Sequence, residues 1–302
     1  MNSITKNSFR WTYSVAVFLA FIGLQQPKAT AATLSNGWNY AIDSFNDGVT
    51  GNQIGGGEFE FYGIAVKETS DRAFIAINSN LSLAGYADTE AQRGNINYGD
   101  LFFNFSGQNF NTANANGSLF AVRFAAGNDS GVATTGVYSN VTAKSVTQIN
   151  SGFTNLTQYN DRVRSAGGTP STGDLAANDP YFQQTGNWTV LNSIDSGTKV
   201  GEISALTSAT LSAMGLDFSQ FNAVGSQTIG FSFNKSAMPS GSYIANLFAE
   251  CANDAIAIKG NFETPSAEAV PEPGTVLGTL AGFGILGMGA AKRKIKGKIS
   301  CN

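Results

Sequence analysis

Histidine is absent from this chain of 302 residues, and cysteine occurs only twice. Without histidine there is no Ser-His-Asp triad, no Cys-His dyad and no imidazole-based zinc or copper centre. A hydrolase built on this sequence would have to run on carboxylates alone. Cys251 and Cys301 lie on either side of an apolar segment near the C-terminus. If that segment spans a membrane the two thiols cannot meet, so no internal disulfide is expected. Cys251 then reads as a small buried residue, with an intermolecular bridge as the alternative. No phosphate-binding Gly-Lys loop and no dinucleotide fingerprint follows a candidate strand. Positive charge is scarce as well. Of 18 Lys and Arg, three lie in residues 1–31 and five between Lys292 and Lys298. The ten left between them face all 21 Asp and Glu, a net of −11 where the whole chain carries −3. So acidic a stretch argues against nucleic acid or anionic lipid as a partner, since both need Lys and Arg clusters.

The ends carry addresses. Lys6 and Arg10 precede the apolar run Trp11–Leu24, and Ala29-Thr30-Ala31 supplies small residues for cleavage. This order is that of a secretory signal peptide over residues 1–31. No Cys follows the run, which excludes a lipoprotein anchor, and no paired Arg precedes it, which favours the Sec export machinery.

At the other end, Val270-Pro271-Glu272-Pro273-Gly274-Thr275 leads into Val276–Ala291, which has no charged residue, and then into a basic tail over 292–302. The apolar run has sixteen residues, short of the roughly 20 that a membrane span needs. It suits transient membrane insertion, with the basic tail cytoplasmic by the positive-inside rule. Pro271 and Pro273 keep the junction extended and open to a peptidase. This three-part segment, 266–302, resembles the PEP-CTERM signal by which bacterial exosortases sort exported proteins. The resemblance implies a membrane-held precursor facing the periplasm, an exosortase as processing partner, and a final place at the cell surface or outside the cell.

The body, 32–265, is rich in Gly, Asn, Ser, Thr and Phe, the mixture of an all-β fold with many turns. Period-two patterns predict strands over Glu58–Tyr62, Ala73–Leu83, Leu101–Phe105, Ser118–Phe124, Val137–Ile149, Trp188–Leu191, Thr228–Phe233 and Tyr243–Ala249. Asn155–Ser165 and Ile203–Met214 read as short helices, and 150–185 as an excursion from one end of the sheets. The expected architecture is an antiparallel β-sandwich of jelly-roll type with one or two short helices. Phe59-Glu60-Phe61-Tyr62-Gly63-Ile64-Ala65 and Glu250-Cys251-Ala252-Asn253-Asp254 resemble cyanobacterial exosortase-dependent surface proteins of the XDD type. That resemblance implies surface or extracellular-matrix residence and carries over no catalytic residue.

Three chemistries merit weighing. Glu58 and Glu60 could form a glycosidase pair, but the expected reading is alternating carboxylates on a solvent-facing strand edge. Asp43, Asp47, Asp174 and Asp179 are calcium candidates, with Glu250, Asn253 and Asp254 as a further oxygen-rich group. Asp43–Ile54 fails the EF-hand spacing, with Phe45 and Ile54 where ligands should stand. Such residues also shape turns by bonding their own backbone. Trp38, Tyr40 and Trp188 offer flat faces for sugar stacking if exposed, with core packing as the expected role of each. The sequence thus predicts a non-enzymatic surface or matrix protein associated with exopolysaccharide. The alternative is a secreted carbohydrate-binding module or a carboxylate-based glycoside hydrolase. No cofactor other than calcium is expected.

Overall fold

A computed structural model describes residues 33–183 and 188–264. The expected signal peptide and the sorting segment lie outside the described residues. Twelve strands of three or more residues build two antiparallel sheets. In the first, β1 (Thr33–Ser35), β2 (Trp38–Ile42), β3 (Phe61–Glu68) and β4 (Arg72–Ser79) run in chain order. The second contains β5 (Leu101–Asn104), β6 (Leu119–Arg123), β7 (Gly136–Lys144) and β8 (Ser193–Gly201), again in chain order. The hairpin of β9 (Ile203–Leu206) and β10 (Gln227–Asn234) extends the first sheet by pairing β10 with β4. The hairpin of β11 (Gly241–Phe248) and β12 (Ala255–Phe262) extends the second by pairing β11 with β5.

The sheets share one core. Ile64, Val66, Ile75, Ile77 and Phe233 of the first meet Leu101, Phe103, Val122, Leu247 and Ile258 of the second. Each sheet is also covered on its far side. Trp38, Tyr40 and Ala76 pack under Leu211 and Phe218, while Phe102, Leu119 and Tyr138 pack under Phe110 of helix α1 (Phe110–Ala115) and under Tyr181. Strands buried on both faces lose the clean apolar-polar alternation, which explains runs such as Leu101-Phe102-Phe103.

The mostly antiparallel β architecture agrees with expectation, and several expected elements shift. Ile203–Met214 is not one helix. Its first four residues pair with β10, and only after the Thr207 cap, whose hydroxyl accepts the Thr210 amide at 3.1 Å, does helix α3 (Ser208–Ala213) begin. Trp188–Leu191 is irregular and leads into β8. Val137–Ile149 leaves the sheet at Lys144. The excursion contains helix α2 (Leu156–Ser165), capped by the Asn155 side chain, which accepts the Gln158 amide at 2.9 Å. Its apolar stripe, Leu156, Tyr159 and Val163, packs on Val49, Phe248, Ala252 and Ala255. The helix therefore lies over the turn between β11 and β12.

The strand expected over Glu58–Tyr62 begins only at Phe61. Residues 58–60 form a turn after Gly55-Gly56-Gly57, so the two glutamates do not share a strand face. Glu58 is exposed, whereas Glu60 is fully buried. This corrects the solvent-edge reading of Glu60.

Candidate functional site: a buried carboxylate cluster

Four acidic residues converge where β2 and β3 meet the β11–β12 turn. Asp43 follows β2, Asp47 lies four residues on, Glu60 immediately precedes β3, and Asp254 immediately precedes β12. One carboxylate oxygen from each of Asp43, Asp47 and Asp254 lies within 4.8 Å of the others. Asp47, Glu60 and Asp254 have no solvent exposure, and Asp43 retains 6 %.

Backbone amides hold these side chains in place. Asp43 Oδ1 accepts from the amides of Ser44 and Gly173, both at 3.0 Å, and Asp47 Oδ2 accepts from Ser171 at 2.7 Å. The excursion is thereby laced to the 43–48 loop. Glu60 Oε2 accepts from Gly48 at 3.0 Å and Gly56 at 2.9 Å. Asp254 Oδ2 accepts from the Phe61 amide at 2.7 Å, while its Oδ1 accepts from Ala255 at 2.7 Å and from the Tyr159 hydroxyl at 3.1 Å. Glycine is required at position 48, since a Cβ there would stand 2.6 Å from the Glu60 Cα. The β11–β12 turn is stapled to the same loop through Val49 N–H to the Asn253 carbonyl at 2.9 Å and Asn253 Nδ2 to the Val49 carbonyl at 2.8 Å.

The remaining oxygens are unpartnered. Asp43 Oδ2, Asp47 Oδ1 and Glu60 Oε1 are buried with no hydrogen bond of normal geometry, although the Ser171 side chain lies near enough to Asp43, and the Tyr159 hydroxyl to Asp47, to favour their charged forms. None of the ion pairs among the described residues reaches any of the four acids. Burial pushes all four carboxyls above their ordinary range. Mutual repulsion adds to this at Asp43, Asp47 and Asp254, while the amide hydrogen bonds pull the other way. The same burial and the neighbouring acids drive the Tyr159 phenol up. The centre is an all-oxygen cage of closely spaced carboxyls, sealed from any large substrate.

Of the calcium candidates, the structure brings Asp43 and Asp47 together and leaves Asp174 and Asp179 elsewhere. Asp174 Oδ2 accepts from the Lys259 amide at 2.9 Å, and Asp179 caps the short 3-10 turn Pro180–Phe182 by accepting from Tyr181 at 2.9 Å. Both shape backbone. Glu60 and Tyr159 were not among the candidates, and the triple glycine that curls Glu60 inward was the available signal. Of the aromatic candidates, Trp38 and Tyr40 are buried, but Trp188 is 53 % exposed, against the expectation of core packing. Cys251 is a buried free thiol.

A second buried acidic group lies close by along the chain. Asp100, Asp129 and Glu250 lie near one another, with Arg123 beside Asp100, and Glu250 stands four residues before Asp254 in the same turn. Both Asp100 oxygens are bonded, to Asn128 Nδ2 at 2.9 Å and the Ile194 amide at 2.7 Å. Asp129 pairs with Arg93 Nε at 2.7 Å and Asn150 Nδ2 at 2.9 Å. Glu250 accepts from the Asn97 amide at 2.7 Å and from the Asp129 amide.

Residues 269–294 match the PEP-CTERM protein-sorting motif. The motif marks a protein processed by an exosortase, exported, and destined for the cell surface or the extracellular space. No curated protein matches the chain, and no solved structure matches it. No helix among the described residues is long and apolar enough to cross a membrane.

Proposed function

We propose that the chain is a non-enzymatic, structural or adhesive component of the cell surface or extracellular matrix, associated with exopolysaccharide. The observation that carries this reading is the sorting motif at 269–294, joined to a body whose densest cluster of reactive groups no polymer can reach. Glu58 and Glu60 offer no glycosidase pair, since one faces solvent and the other is sealed by Gly48 and Gly56. The precursor is held in the membrane by 276–291 after Sec export, facing the periplasm, until the exosortase acts. The layered sandwich reading rests on the core that the two sheets share and does not need jelly-roll connectivity.

Replacing Pro271, Glu272 and Pro273 by Ala tests the route. A larger, unprocessed precursor in the membrane fraction is expected. A variant that reaches the surface at mature size would contradict it.

Sugar binding is the second reading, and two features favour it. Trp188 offers an exposed aromatic face, and an open cleft of about 580 Å³ is lined by Asn104, Gln108, Asn109, Asp179, Ser242 and Lys259, groups suited to hydroxyl-rich ligands. Sedimentation with the host's own exopolysaccharide, compared between the native chain and Trp188→Ala, separates a specific sugar contact from general matrix retention.

A further inference from the structure

We propose that Asp43, Asp47 and Asp254, with Glu60 and the Tyr159 hydroxyl beside them, form a calcium-binding site that fastens the 150–183 excursion to the ends of β2, β3 and β12. The spacing is the first argument. Calcium binds oxygen at about 2.3–2.6 Å, so ligands on opposite sides of one ion stand up to roughly 5 Å apart. The three aspartates present oxygens within 4.8 Å of each other.

The unpartnered oxygens are the second argument. In Asp43, Asp47 and Glu60, one carboxylate oxygen is fixed by backbone amides and the other is buried and bare. A proton shared between two neighbouring carboxylates could satisfy a pair of these oxygens, but it would leave the third bare. A buried polar group without a partner is costly, and three in one cage are hard to sustain. A cation held by the three aspartates gives the bare oxygens of Asp43 and Asp47 a partner and offsets charge that no Lys or Arg among the described residues reaches. An acidic cluster whose members had all their oxygens bonded would support no such conclusion.

The donor set selects the ion. Hard carboxylate and hydroxyl oxygens favour calcium, magnesium or manganese over zinc or copper. Magnesium gives up its waters reluctantly and usually keeps several. A cage whose members are 0–6 % exposed has little room for a hydrated ion. Calcium, which accepts many protein oxygens in irregular geometry, fits best. An exported protein also meets calcium at concentrations that even weak extracellular sites can use.

The test uses the mature protein recovered from the host surface, stripped with EGTA and returned to buffer with calcium chloride, magnesium chloride or neither. At about a hundredfold excess over the dissociation constant, calcium is expected to raise the melting midpoint by roughly 5–10 °C for a body of this size. Magnesium should raise it much less. Asp47→Asn and Asp254→Asn should abolish the calcium shift, and Glu250→Gln, in the neighbouring network, should keep it. Asp47→Asn keeps the size and shape of the side chain, so it should fold in EGTA with a midpoint close to that of the native chain, which keeps the test valid if Asp254→Asn fails to fold. Calorimetric titration with calcium chloride should give one site per chain. The proposal is overturned if the native midpoint ignores calcium or if the shift survives in Asp47→Asn. An equal magnesium response would overturn the assignment of calcium.

Discussion

The two buried acidic groups share a turn but not a way of becoming stable. Glu250 and Asp254 are separated by three residues, and each delivers a carboxylate to a different network. Around Glu250 the structure provides Arg93 for Asp129 and places the Arg123 guanidinium near Asp100, where it favours the charged form. Every carboxylate oxygen of Asp100, Asp129 and Glu250 finds a donor. Around Asp254 there are amides and a phenol but, among the described residues, no paired cation, and three oxygens of the cluster stay bare. A buried charge must be paired, hydrogen-bonded or neutralised. The first group meets that demand from within the chain. The second meets it only with something added, and this contrast underlies the calcium proposal.

The largest effect expected from disturbing this contrast comes from Arg123→Ala. Arg123 donates to Asn128 Oδ1 at 2.9 Å, to the Val132 carbonyl at 2.7 Å and to the Ala126 carbonyl at 2.8 Å, and is 4 % exposed. Removing it leaves three buried acceptors without their donor, at a cost of about 1–3 kcal/mol for each that stays unmet. Urea melts should show the same loss with calcium and with EGTA. A loss that calcium repairs would mean that the two networks are not independent.

Next in size is a pH effect centred on Glu250. Burial lifts its carboxyl to about 7, with Asp129 and Asp100 adding repulsion. An acid whose folded pKa is raised holds its proton in the folded state while the unfolded chain has already lost it. Its contribution is therefore full below about 4.5, declines as pH rises towards 7, and is gone above that. The span is on the order of 3 kcal/mol. In EGTA, the native chain should lose stability relative to Glu250→Gln as pH climbs through this window. Parallel curves for the two proteins would place the Glu250 titration outside it.

The smallest effect concerns the helix that carries Tyr159. Asn155→Ala removes the α2 cap and should cost about 1 kcal/mol, measured by thermal melts. Calcium should recover part of this loss, since Tyr159 lies against Asp254, while the same variant should leave the Arg123 network unchanged.

Much of this was legible in sequence, for identifiable reasons. Period-two runs located β4, β6, β10 and β11, and the polar mixture of Asn155–Ser165 located α2, while the Asn155 cap and the buried stripe of Leu156, Tyr159 and Val163 emerged only in the fold. Trp38–Ile42 and Ala255–Phe262 went unpredicted as strands, because both sit where a second layer buries the outer face and blurs alternation. The cluster was half visible. Asp43 and Asp47 stood out as spaced oxygen donors, but Glu60 looked like part of an alternating strand until three glycines turned it inward. Asp254 was noted among oxygen-rich residues, yet only the β11–β12 hairpin brings it across some two hundred residues to Asp43. Contacts of that range follow from topology, which local spacing does not encode.

The most direct test of the contrast is an anomalous difference map from crystals of the mature protein grown with calcium chloride and recorded at long wavelength. A single peak about 2.3–2.6 Å from oxygens of Asp43, Asp47 and Asp254, with none among Asp100, Asp129 and Glu250, is the expected result. A cage without a peak, or a peak beside Glu250 instead, would contradict it.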